Sequence, residues 1–116
     1  MSIMPGNMVK KAGDYLLSVL ASEPSIRYSR FYDATDATRE RLRLGVGLSQ
    51  ADADYYCMEL MMDLAVSMFE KRKLVQTRYL EEKLADDEPD YEICLTDEGT
   101  RFITEGRDYA SPDVEL

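Results

Sequence analysis

The stretch Ser49–Lys73 reads SQADADYYCMELMMDLAVSMFEKRK, and its periodicity decides how the rest of the chain is arranged. Between Tyr55 and Phe69 twelve of fifteen residues are apolar, and the other three, Glu59, Asp63 and Ser67, recur every fourth position. On a helix that spacing makes one narrow polar stripe, extended by Asp52 and Glu70. A helix apolar over most of its circumference is buried on several sides, so one long helix is predicted here, central to the domain or shared between two copies in a homodimer. Ser49 caps it, with Asp52 in the place of a capping-box acid. Lys71, Arg72 and Lys73 supply positive charge where a helix C-terminus favours it. Methionines 58, 61, 62 and 68 are read as core filling.

Downstream, Val75, Thr77 and Tyr79 alternate with Gln76 and Arg78, and Tyr91, Ile93 and Leu95 alternate with Glu92 and Cys94. Two such runs predict an antiparallel hairpin, joined by a polar loop, Glu82–Asp90, with Asp86, Asp87 and Glu88 at its tip. Thr96 is placed to cap a short closing helix that buries Phe102 and Ile103 and ends at Gly106. Residues 1–106 form one domain in this reading, and 107–116 a flexible C-terminal tail.

Upstream, Met8, Val9, Ala12, Tyr15, Leu16, Val19 and Leu20 predict a helix over residues 8–21, capped by Asn7 and ended before Pro24. Ser25 then starts a short second helix carrying Ile26, Tyr28, Phe31 and Tyr32. A further helix begins near Thr35 or Asp36. The run from Arg39 to Leu48 reads either as helix or as an extended segment, with Gly45 and Gly47 marking the end of regular helix.

Helix, helix, helix, hairpin and a Leu95-Thr96-Asp97-Glu98-Gly99 turn into a closing helix resembles winged-helix regulators of the MarR and PadR kinds. Lys71-Arg72-Lys73-Leu74-Val75 at the helix-to-strand junction carries the other half of the likeness. The resemblance implies a mainly α domain with a small antiparallel hairpin, a winged-helix-like α+β single domain. It also implies that the helix before the hairpin enters the DNA major groove while the wing tip contacts phosphates. The sequence departs from that pattern at both places. The helix starts Gln50-Ala51-Asp52-Ala53-Asp54, and Lys83 is the only base near the tip.

The net charge of −9 is unevenly spread. Residues 1–48 hold seven bases and five acids, and residues 49–116 seven bases and eighteen acids. Phosphate binding needs basic neutralisation, which the second part lacks. Histidine is absent and there are two cysteines, which removes the commonest general base, a Cys/His nucleophile pair and the usual zinc sites. Both cysteines, Cys57 and Cys94, are expected to be buried and unpaired. No apolar run reaches the roughly 18–20 residues of a membrane span, no signal peptide is read at the start, and a cytoplasmic setting is expected. No cofactor is expected.

The chain is therefore read as a non-enzymatic regulatory protein whose acidic surface, Asp52, Asp54, Glu59, Asp63, Asp86, Asp87 and Glu88, meets a protein with a basic surface. Imitation of nucleic acid, as in small phage-encoded inhibitors, would suit its size and charge. The alternative is a dimeric DNA-binding regulator using Arg27, Arg30, Arg39, Arg41 and Arg43, with DNA disfavoured at the usual face.

Overall fold

The computed structural model describes residues 2–31, 36–84 and 88–116. After a two-residue strand β1 (Ile3–Met4), helix α1 covers Gly6–Ser22 and buries Met8, Val9, Ala12, Leu16 and Leu20 along one stripe. It begins one residue before Asn7, which is therefore inside the helix and not its cap. Pro5 occupies the cap position in extended geometry without a side-chain hydrogen bond, and the Gly6 amide donates instead to Asp113 Oδ1 at 2.6 Å. A carboxylate from the far end of the chain thus satisfies one of the free amides and complements the positive pole of the helix.

Ser25–Arg27 forms strand β2 rather than the start of a helix, followed by a 3-10 turn over Tyr28–Phe31. Pairing decides this: Ser25, Ile26 and Arg27 lie opposite Cys94, Ile93 and Glu92. Ile26, a β-branched residue, is buried by that ladder. Helix α2 (Asp36–Val46) resolves the ambiguous Arg39–Leu48 run as helix, with Leu42 and Val46 one turn apart and buried. Gly45 lies inside this helix. A Cβ there would come within 2.4 Å of the Tyr15 ring, so only hydrogen lets α2 close on α1.

The single long helix expected from Ser49 to Lys73 is two helices, α3 (Gln50–Tyr55) and α4 (Met58–Lys71). Ser49 does cap the first, its Oγ accepting from the Asp52 amide at 3.1 Å. Tyr56 then turns extended, at ψ 144°, and α4 restarts with Cys57 as its cap. The break has a packing consequence. From the new start Met58, Met61, Met62, Ala65, Val66 and Phe69 all face inward, chiefly against α1, while Tyr55 is left 82 % exposed. Most of the apolar surface that suggested a shared helix is covered within the one chain. Cys57, placed at the break, is exposed rather than buried, and Cys94 is half-buried; both are free thiols.

Strands β3 (Val75–Lys83) and β4 (Pro89–Leu95) form the expected hairpin, and the sheet runs in the order β2-β4-β3, all antiparallel. Val75, Thr77 and Tyr79 face Leu95, Ile93 and Tyr91. Beyond Tyr79 the register slips: β3 advances four residues to Lys83 while β4 retreats two to Pro89. Such extra residues bend a ribbon and increase its twist.

Helix α5 (Asp97–Thr104) is capped as predicted, with Thr96 Oγ1 accepting from the Gly99 amide at 2.9 Å. The same hydroxyl lies 2.7 and 2.9 Å from the Lys73 and Leu74 carbonyls, to which it can donate. Gly99 fits because a Cβ there would meet the Leu74 carbonyl oxygen at 2.1 Å. The Leu-Thr-x-x-Gly turn therefore fastens α5 to the α4–β3 junction. Phe102 is buried as expected and Ile103 half-buried.

In place of the loose tail expected after Gly106, residues 107–116 return along α1. Tyr109 packs edge-on against Phe69 at 5.3 Å, beneath the Lys10 ammonium, and Val114–Glu115 (β5) pairs with β1. The chain is thus a single α+β domain built on α1, α4 and a three-stranded sheet. No helix among the described residues is long and apolar enough to cross a membrane.

Candidate protein-binding site

The two sets of charged residues singled out in the sequence meet one another. Helix α2 presents Arg39 and Arg43 towards α3 and the start of α4, where Asp54 and Glu59 stand. Arg39 reaches Glu59 at 3.8 Å, and the Glu59 side chain keeps only 21 % of its exposure. Asp54 accepts from Gln50 at 2.9 Å and shares a cleft with Arg39 and Arg43. Asp52 sits in the first turn of α3, half-buried. These acids belong to a mixed-charge surface, not to one continuous acidic stripe.

The arginines are engaged in turn. Arg43 bonds Glu40 at 2.5 Å and the Leu48 carbonyl at 2.9 Å, and Arg27 meets Glu82 at 3.3 Å. Arg30 pairs with Glu23, and that hydrogen bond holds the Glu23 carboxyl below its usual range. Arg41 alone of the five makes no ion pair among the described residues; it lines a shallow cleft beside Tyr15 and Phe31. Asp86 and Asp87 lie outside the described residues, and Glu88 is exposed just before β4.

Asp63 stands apart. Among the described residues its neighbours are phenols, not cations. The Tyr91 hydroxyl donates to Asp63 Oδ1 at 3.4 Å, and the one proton of the Tyr28 hydroxyl serves both Asp63 and the Glu59 carbonyl, 3.1 Å away. Asp63 as a residue is exposed, yet its carboxyl beside these hydroxyls loses water on their side. Desolvation outweighs the two hydrogen bonds and pushes its pKa up from the ordinary value. Burial, reinforced by the Asp63 charge, raises both phenols well above the usual tyrosine range.

Around Asp63 the rings are ordered. Tyr28 and Tyr91 stack at 4.6 Å and 12°, and Tyr79 stands edge-on to Tyr91 at 6.1 Å. With Leu84, Glu88 and Pro89 they line a cleft of about 340 Å³ between α4 and the hairpin, opened where the register slips. Sequence reasoning named Asp63 and Glu88 but missed the tyrosines. For Tyr79 and Tyr91 a signal existed, because alternation places both on one face of the hairpin. Tyr28 carried none, since it arrives by way of β2.

Among the described residues no group of three or more Cys, Asp or Glu side chains is placed to hold a metal ion. No protein-family model matches this chain, and no curated protein or solved structure matches it.

Proposed function

We propose that this chain is a non-enzymatic regulatory binding protein on a winged-helix-like scaffold, acting through protein contacts of its acidic α4–hairpin face. The strand order β2-β4-β3 and a helix running straight into the hairpin support the scaffold reading. The observation that carries the functional reading is the contrast in charge pairing. Four of the five candidate arginines are tied to the protein's own carboxylates, whereas Asp63 has tyrosines for neighbours and no base lines its cleft among the described residues. A face of that kind repels phosphates and attracts a basic protein surface, in the manner of a nucleic-acid mimic. Two free thiols agree with a reducing, cytoplasmic setting.

The test compares an arginine- and lysine-rich peptide with duplex DNA at low salt, about 50 mM, where phosphate contacts are strongest. The peptide is expected to bind and to be released as salt rises; the duplex is expected not to bind. Duplex binding that is lost when Arg39, Arg41 and Arg43 are changed to Ala would overturn the proposal in favour of a DNA-binding regulator.

A further inference from the structure

We propose that the cleft between α4 and the hairpin is a receptor for one guanidinium group, the side chain of an arginine presented by the basic partner. This deepens the functional reading above and rests on it for the nature of the partner. Three features of the cleft select that chemistry. Its volume, about 340 Å³, lies at the small end of ligand pockets and suits one side chain rather than a peptide segment. Among the described residues its lining holds two carboxylates, Asp63 and Glu88, and no lysine or arginine. Its walls are aromatic, and a cation is attracted to the face of such a ring.

The arrangement of rings decides between the two basic side chains. A lysine ammonium is best surrounded by several aromatic faces. Here Tyr28 and Tyr91 spend one face each on the other, stacked at 4.6 Å. Tyr79, 75 % exposed, is left as the open flat wall. A planar guanidinium needs one such wall to stack on and a carboxylate for its forked donors. Asp63 supplies that carboxylate, with the Tyr91 hydroxyl 3.4 Å from its Oδ1 and the Tyr28 phenol beside it. The Arg78–Glu92 ion pair belongs to the opposite face of the hairpin, since both residues alternate with Tyr79 and Tyr91. It does not compete for the cleft.

The probe is Nα-acetyl-arginine amide, titrated into the intact protein while the tyrosine ring resonances are followed by NMR. Nα-acetyl-citrulline amide, uncharged and nearly the same shape, and Nα-acetyl-lysine amide are run beside it. The arginine compound should shift Tyr79 and Tyr91 saturably and bind about tenfold more tightly than citrulline, with lysine between them. Tyr79→Ala and Asp63→Asn should each weaken it about fivefold or more. Tyr79 is mostly exposed and Asp63→Asn keeps the shape, so both variants are expected to fold, which the remaining resonances verify.

Equal binding of citrulline, preference for lysine, or unchanged affinity in both variants would overturn the proposal. Failure here is separable from failure of the functional reading. A basic peptide that binds equally to wild type, Tyr79→Ala and Asp63→Asn sinks the cleft and leaves the acidic face. Arginine amide that binds while the basic peptide does not sustains the cleft as a guanidinium site and removes the protein-partner reading.

Discussion

Lys73 and Gly106 occupy the same position in two copies of one motif. Each is the residue just past a helix cap, with φ +63° and +64°, ending α4 and α5 respectively. Leu74 and Lys73 donate to the Phe69 and Glu70 carbonyls as Arg107 and Gly106 donate to those of Phe102 and Ile103, the bond pattern of a Schellman ending. Glycine adopts that conformation freely, whereas a side chain with a Cβ costs about 1 kcal/mol there. Lys73→Gly is therefore expected to raise stability, by up to about 1 kcal/mol, and Gly106→Ala to lower it by a similar amount. Urea denaturation of the two variants beside wild type measures both; destabilisation by Lys73→Gly would refute the account of this turn.

Tyr109 should prove the main fastening of the C-terminal segment. Its ring contacts Phe69 and Phe102, the Lys10 ammonium lies 3.8 Å from its centroid, and its hydroxyl lies 2.7 Å from Asp14 Oδ1. Tyr109→Ala is expected to cost about 3 kcal/mol, and Tyr109→Phe, which removes the hydroxyl alone, about 1 kcal/mol. Trypsin cleavage at Arg107, exposed and next to this anchor, should accelerate in the alanine variant far more than in the phenylalanine one. Gly13→Ala probes the same contact from the other side, because its Cβ would lie 2.6 Å from the Tyr109 hydroxyl and 3.0 Å from the buried Phe69 ring.

Asp63 trades stability for readiness. Its folded pKa is raised above the ordinary carboxylate value, so between the two values the folded state binds more protons than the unfolded one. Stability then falls as pH rises through that window, and the penalty is fully present above the folded pKa. Asp63→Asn should remove it. Denaturation midpoints of the variant and wild type should draw together below the ordinary carboxylate pKa and separate at neutral pH, with the variant the more stable. A variant less stable than wild type at pH 7 would show that the tyrosine hydrogen bonds outweigh desolvation.

Most local signals in the sequence were reliable, the Asn7 cap being an exception. The Ser49 and Thr96 caps bond amides three residues on, and the hairpin alternation and the apolar stripe of α1 are periodicities within single elements; each is found in place. The differences share one cause. Ile26 is in a strand because Ile93 lies opposite it, and Gly6 starts a helix because Asp113 meets its amide. Neither partner could be inferred from spacing. The break at Tyr56 and Cys57 is similar, since no Pro or Gly marks it and inward packing of the methionines fixes where α4 begins. At the candidate site the acids were legible as residues. That Arg39 would reach Glu59 while Asp63 would meet phenols depended on how α2 and β2 fold back.

The Asp113 bond to Gly6 also sets an order of events. The contact spans 107 residues, and long-range closure of this kind is slow compared with forming a helix or a hairpin. During synthesis α1 emerges well before the carboxylate that completes its first turn. The opening turn of α1 is thus completed long after the helix itself is made, and a nascent chain halted before Tyr109 would hold α1 with a frayed beginning and the Phe69 ring uncovered.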